Sequence, residues 1–367
     1  MRSRVLLVFG GDSSEHEVSC LTAGSVLRAL DRDRFDVTCV GIAKGGRWVW
    51  VEESVVRGYA IVDGHLPSVD ASLRDAVLVR TGSGADVARL EGDVLVDRTP
   101  VDVAFALLHG PFGEDGTIQG LFEMMGVRYV GAGVLSSAAC QDKGAMKQQF
   151  AVNDLPSGPY VIVTDAQWRA EPDACLARIR TLASPWFVKP ARGGSSMGIT
   201  RVTDAEGLPD AIAEARRYDP QVIVEQGIVG AREIECAVLG SLDGPPAASL
   251  PGEIDVHTES RFYDFATKYL PDQPVSLVIP ADLPPEVVEG VRDLAVRAFV
   301  ALGVEGLARV DTFVMPDGTV TLNEINTMPG FTATSMYPKL WEAAGVGYTT
   351  LVTRLLDLAL ARPLGLR

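Results

Sequence analysis

The stretch GLARVDTFVMPDGTVTLNEINTMPG, Gly306 to Gly330, decides how the rest of the chain is read. Apolar and polar residues alternate on both sides of Pro316-Asp317-Gly318, and Asp-Gly between alternating runs is the strongest short-range signal for a β-hairpin. With Asp317 and Gly318 as a two-residue turn, Pro316 faces Thr319. Counting back along the ladder then sets Asp311 opposite Glu324 and Arg309 opposite Asn326. All four side chains share one face. Carboxylates directly opposite each other, with Cβ atoms about 4.5–5.5 Å apart, repel unless a cation lies between them. Asp311, Glu324 and Asn326 offer hard oxygens without sulfur or imidazole, which suits magnesium that also takes phosphate oxygens. The competing reading is a pair of solvated acids on an exposed face; Arg309 and the Pro329-Gly330 loop, crowding the same end, favour a site. A one-residue slip would undo the pairing.

Outward from the hairpin, Lys339 to Ala361 reads as one helix with Leu351, Leu355, Leu356 and Leu360 as its core stripe. Pro285 to Leu302 reads as an amphipathic helix with proline in its first turn. Val222 to Gln226 and Arg232 to Leu239 read as strands in which Glu225, Glu233 and Glu235 interrupt apolar runs, and an acid there suits a ribose hydroxyl or an adenine-edge amine. Between them and Val275 lies a long polar and aromatic stretch, and loops of that length are uncommon unless they serve as lids or binding loops. Gly252 to Leu270 is the natural lid. Lys189-Pro-Ala-Arg-Gly-Gly-Ser-Ser-Met-Gly198 follows a strand and presents consecutive backbone N–H groups, hydroxyls and a fixed charge, as phosphate-covering loops do. The lysine precedes the glycines, so the order is not that of a Walker A motif. A flexible turn tip is the bland alternative.

In the first third, Val5 to Phe9, Val18 to Leu30 and Phe35 to Ile42 give a β-α-β opening of the α/β type. Its turn, Gly10 to Glu17, places Glu15 where ligands bind in such sheets. The same serines and acids suit a helix cap equally well, and both readings stand. Trp48 to Asp97 reads as an irregular insertion without evident chemistry. Val101 to Leu108 is again a buried strand, running into His109-Gly-Pro-Phe-Gly-Glu-Asp-Gly116 and a helix from Thr117 to Met125. A lone loop histidine such as His109 serves as a structural donor or as a binding group. Ser136 to Phe150 reads as one helix with Lys143 and Lys147 on one face, either a solvated basic face or a reach towards phosphate. Asn153 to Pro159 is a turn-rich break and a first candidate domain boundary.

The chain of 367 residues has room for two or three domains at 47% hydrophobic and 22% charged. A net charge of −15 argues against nucleic acid or an anionic membrane as the main partner. The five widely spaced cysteines point to a reduced cytoplasm, with neither a disulfide framework nor a zinc site. The first apolar run is too short for a signal peptide and reads as a strand.

Taken together, GGDSSEHEVS, HGPFGEDGTIQG, DKGAMK, VKPARGGSSMGI, EQGIVGAREIECAVLG, PGEI, FYDFATKY, ARVDTF and NEINTMPGFTATSMYPKLW resemble, in order and over almost the whole chain, the D-alanine:D-alanine ligase family of the ATP-grasp superfamily. The resemblance implies an α/β chain, α+β in its C-terminal half, with a Rossmann-like N-terminal domain (1–140), a central ATP-grasp subdomain (141–226) and a C-terminal catalytic domain (227–367). It implies ATP held between two antiparallel sheets with two magnesium ions, manganese able to substitute, and a cytoplasmic homodimer serving peptidoglycan synthesis. Position by position, Lys147 and Lys189 match phosphate lysines, helped by Lys268, Ser195 and Ser196, with Glu225 and Glu233 towards the nucleoside. Asp311, Glu324 and Asn326 match the metal ligands. Glu15 matches the acceptor of the first substrate's ammonium, linked to Ser195 and Tyr269, with His109 beside the substrate. Arg309 and Gly330 match the groups on the acyl oxygen, and Ser335 and Met336 those meeting the second carboxylate. The product implied is D-alanyl-D-alanine, formed through an acyl phosphate; a D-alanyl-D-lactate ligase and a nucleotide-binding regulator without chemistry are the alternatives.

Overall fold

The computed structural model describes residues 2–194, 196–256 and 275–365. Strands Ser3–Gly10, Phe35–Ile42 and Val103–Ala106 pair in parallel at the centre of a five-stranded sheet. Helix His16–Ala29 makes the crossover, as the opening β-α-β pattern requires. Leu6, Leu7, Val8 and Phe9 are fully buried, the mark of a strand covered on both faces. The strand ends in Gly10 at φ +89°, where an added Cβ would stand 2.3 Å from the Ile42 carbonyl, so only glycine makes this turn. The 48–97 region is more regular than expected: Trp48–Val51 joins the main sheet, and Ala76–Thr81, Gly84–Glu91 and Val94–Val101 form an antiparallel meander.

A second, four-stranded antiparallel sheet runs Thr200–Val202, Trp186–Pro190, Val222–Gln226, Tyr160–Val163. Helices Pro172–Ile179 and Leu208–Ala215 cover it. The third sheet is antiparallel in the order Val275–Val278, Gly252–Val256, Arg232–Leu239, Leu307–Val314, Val320–Asn326, with Ala247–Ala248 beside Arg232–Leu239. Ile234, Cys236, Val310 and Leu322 turn to one face, against helix Pro285–Ala301. The opposite face carries Glu235, Arg309 and Asp311 at one end, while Ala237, level with Arg309, and Leu239 beyond it belong with Tyr337 and Leu340 to a core shared with the N-terminal sheet.

Three expectations are corrected. The helix expected over 136–150 is two, Val134–Gln141 and Lys143–Val152. Asp142 breaks it, because its carboxylate accepts from the Gly144 and Ala145 N–H groups and so caps the second helix. The helix expected over 339–361 is also two, Met336–Ala343 and Tyr348–Ala361, parted where Gly345 takes φ +83°. Gly252–Val256 is a strand paired with 232–239 and 275–278 and not part of a lid; the remainder of that stretch, with Lys268 and Tyr269, lies outside the described residues. Met146 and Phe150 of helix Lys143–Val152 pack into the core of the third sheet, and the 153–159 turn follows before the four-stranded sheet.

Candidate active site

The hairpin of Leu307–Val314 with Val320–Asn326 sets Asp311 opposite Glu324 and Arg309 opposite Asn326, as the alternation predicts. It arrives there by a different route. The turn has three residues, Pro316-Asp317-Gly318, because Met315 N–H donates to the Thr319 carbonyl and Gly318 takes φ +86°. That moves Val314 opposite Val320, one residue from the expected ladder. A β-bulge at Asn323, between Asp311 and Thr312 in the register, moves it back, and the two offsets cancel. The bulge also turns Asn323 and Glu324 outward together while Leu322 and Ile325 stay buried.

Pairing extends across the neighbouring strand, so Glu235, Asp311 and Glu324 form one row and Ala237, Arg309 and Asn326 the next. Arg309 donates from Nε to Asp311 Oδ1 at 2.7 Å and from Nη2 to Oδ2 at 2.8 Å. Its Nε also lies 3.0 Å from Glu235 Oε2, and Asn326 Nδ2 donates to Asp311 Oδ2 at 3.0 Å. Burial works against the guanidinium charge, but Asp311 and Glu235 outweigh it and hold Arg309 protonated well above its ordinary range.

Three lysines face this row. Lys189 Nζ and Lys147 Nζ flank the buried Glu225 carboxylate at 2.6 and 3.2 Å. Burial pushes Glu225 up, yet the two ammonium groups prevail and bring it down to about 2. Lys147 also reaches the carbonyl that the bulge frees on Asn323, at 3.5 Å. Lys143 takes a different direction: its Nζ donates to the Gly193 carbonyl at 2.7 Å and lies 3.5 Å from Glu324 Oε2. The glycine-serine loop is clamped at its base, where Arg192 forks onto the buried Asp219 at 2.6 and 2.9 Å and Lys143 N–H donates to the Ala191 carbonyl. Beyond the clamp Ser196 takes φ +58°; Ser195 lies outside the described residues.

From the N-terminal sheet, the Glu15 carboxylate comes so close that a Cβ on Gly110 or on Gly194 would stand 3.6 or 3.5 Å from it. It thus lies between the His109-Gly110 loop and the glycine-serine loop. His16 secures this turn: its Nδ1 meets the Gly11 carbonyl at 2.7 Å and its Nε2 accepts from Val69 N–H, tying the 48–97 region to the site. His109 is buried, with Nδ1 at 3.1 Å from the Met328 carbonyl and 3.8 Å from Glu114. Burial opposes its charge, while Glu114 and Glu15 raise it above the ordinary histidine value. Met328 leads to half-buried Gly330 and to helix Met336–Ala343, whose N-cap is Ser335. The Met336 side chain is in the core, so this position meets a ligand only through its first-turn N–H.

Residues 4–132 match the family model for the D-ala D-ala ligase N-terminus, and residues 150–357 that for the C-terminus. The chain belongs to the D-alanine–D-alanine ligase family. A D-alanine–D-alanine ligase of Arthrobacter sp. is 52% identical over 100% of this chain and 96% of its own length, and one of Kineococcus radiotolerans is 52% identical over 100% and 99%. The crystal structure of VanG D-Ala:D-Ser ligase from Enterococcus faecalis superposes with TM-score 0.83 at 31% identity, over 98% of this chain and 100% of that one. The D-alanine–D-alanine ligase of Coxiella burnetii gives 0.82 at 31%, over 98% and 94%. The two antiparallel sheets facing each other across the lysines are accordingly the ATP-grasp arrangement, and ATP with magnesium goes with the family.

For this ligase-family chain the magnesium donors fit. Among the described residues no three His, Cys, Asp or Glu side chains close on one point, but two carboxylates and an amide on adjacent strands suit an ion that keeps water and phosphate oxygens. The two lysines that sequence reasoning sets on one face meet different partners. Lys147 is 2% exposed, between Glu225 and the Asn323 carbonyl; Lys143, one turn earlier and first in its helix after the Asp142 cap, meets the Gly193 carbonyl and Glu324. We expect Lys143→Ala to weaken ATP binding about 10–100-fold, the loss of one charge-assisted contact of about 1.5–3 kcal/mol. Calorimetric titration checks it, and an unchanged ATP affinity would remove Lys143 from the phosphate site.

Proposed function

We propose that this chain joins two D-alanine molecules at the expense of ATP, forming D-alanyl-D-alanine for peptidoglycan precursors. The observation that carries the reading is the convergence of Arg309, Asp311, Glu324 and Asn326 on one hairpin face with Lys143 and Lys189 opposite, in a chain that ligases of this name match end to end. Glu15 receives the ammonium of the first D-alanine, near His109. Lys147 and Lys189, with Lys143 beside them, and the glycine-serine loop, with Ser195 and Ser196, hold the phosphates, and Glu233, exposed on the same sheet face, takes the ribose. Asp311, Glu324 and Asn326 hold two divalent cations, magnesium or manganese, which supply charge neutralisation between the phosphates and the attacking carboxylate.

A carboxylate oxygen of the first D-alanine bonds to the γ-phosphorus of ATP and ADP leaves. The amine of the second D-alanine, its carboxylate at Ser335 and the Met336 N–H, then attacks the carbonyl of the acyl phosphate, and inorganic phosphate departs. Arg309 and the Gly330 N–H hold the oxyanion of the tetrahedral intermediate. Lys268 and Tyr269 belong to this reading as phosphate partner and as the partner of Ser195 and Glu15. The enzyme works as a homodimer in the cytoplasm, where the five cysteines remain thiols; a solution mass near 39.2 kDa, that of one chain, would contradict the dimer.

The deciding assay supplies ATP, magnesium and D-alanine and measures phosphate release, with chromatography of the product when D-serine or D-lactate competes. We expect D-alanine-dependent phosphate release and D-alanyl-D-alanine as the main product. Release no faster than without amino acid would end the catalytic reading, and a mixed dipeptide or ester as main product would end the substrate assignment.

A further inference from the structure

Glu235 has no place in the reaction described above, yet it is a carboxylate 5% exposed beside another carboxylate, at a position where burial is costly. What Glu235 does reach is Arg309, whose Nε is 3.0 Å from its Oε2.

Asp311 serves two groups at once in this reading. Its Oδ1 and Oδ2 both accept from Arg309, and Oδ2 also accepts from Asn326. A cation that shares an Asp311 oxygen draws on the negative charge that Arg309 meets there and weakens the fork. Arg309, with 16% of its side chain exposed, would then be a buried cation beside a second cation, pushed away from the substrate carbonyl it serves. Glu235, on the far side of Asp311 from Glu324, is the anion placed to keep it.

We propose that Glu235 is the positioning residue that retains Arg309 when Asp311 turns to the metal, so that the arginine need not compete with the cation for one carboxylate. This rests on the metal reading of Asp311 and Glu324. Without the Glu235 charge, Arg309 has only Asp311 to hold and contends with the metal for it. With Arg309 also removed, that contention ends.

The test is manganese binding in the presence of ADP, read by electron paramagnetic resonance on the full-length protein, with thermal unfolding followed alongside. Glu324→Gln should weaken binding, which shows that the hairpin holds the ion. Glu235→Gln should weaken it about tenfold, the scale at which partners behind a metal ligand act. In an Arg309→Gln background, Glu235→Gln should cost nothing further. If Glu324→Gln weakens binding and Glu235→Gln does not, the proposal falls and the metal site stands. If Glu324→Gln has no effect, the metal reading falls and takes the proposal with it. If the Glu235→Gln loss persists without Arg309, Glu235 acts only as a distant charge and the proposal also falls. Should Glu235→Gln alone fail to fold, the charge-balanced double variant against Arg309→Gln still carries the last comparison.

Discussion

Arg309→Gln is expected to lower kcat by about 10²–10³-fold at saturating ATP and magnesium, the usual cost of removing a donor aimed at a developing oxyanion. The guanidinium is held on two sides, by Asp311 at 2.7 and 2.8 Å and by Glu235 at 3.0 Å, and such a pre-oriented group needs no rearrangement when charge appears on the acyl oxygen. Its contribution belongs to the transition state, so KM for ATP should change little. Arg309→Lys should recover only a small part of the loss, because an ammonium carries the charge without the planar fork that Asp311 receives. Steady-state kinetics decides the matter: a fall in kcat below about tenfold would remove Arg309 from the oxyanion role.

Glu225→Gln should destabilise the nucleotide-free protein by about 3–5 kcal/mol, because it leaves Lys147 and Lys189 buried with no counter-charge between them. Both contacts are short, 3.2 and 2.6 Å, and the carboxylate is 8% exposed, so water cannot replace it. The pH dependence has a definite sign. Glu225 is held down to about 2 from an ordinary 4.5, so an unfolded chain takes up this proton before the folded one does. The stability that Glu225 contributes is complete above pH 4.5 and is lost as pH falls towards about 2. Urea unfolding at pH 7 and pH 3 should therefore show a gap between wild type and variant that narrows in acid. ADP should stabilise the variant more than the wild type, since its phosphates return the missing negative charge. Equal urea midpoints at pH 7 would mean that the two lysines are not held by Glu225.

The two tests probe different kinds of information. Asp311, Glu324, Asn326 and Arg309 were legible because a strand alternates with period two, and four chemical side chains at the right parity share a face whatever else the fold does. Even there, the expected two-residue turn was wrong, and the pairing survived because the bulge at Asn323 offset the extra turn residue. The helix breaks at Asp142 and Gly345 were missed for a different reason. Hydrophobic spacing runs on across both points, and a side-chain cap or a positive φ interrupts the helix without disturbing that spacing.

By itself the amino-acid sequence determined the β-α-β opening, the glycine-serine loop after its strand, the hairpin face and, through the ordered motifs, the ligase family. Each is written in residues near one another in the chain, where propensity, period and turn chemistry act. Tertiary structure alone decided which acids and bases became partners. Lys143 and Lys147 are one helical turn apart and alike in sequence, but one meets Gly193 and Glu324 and the other is enclosed by Glu225 and Asn323. Glu225, Glu233 and Glu235 look equivalent as acids interrupting strands; packing makes the first a counter-ion for two lysines, leaves the second exposed, and sets the third against Arg309. The reason is physical: the role of a buried charge is set by the opposite charge it meets and the water it loses, and both come from segments distant in the chain.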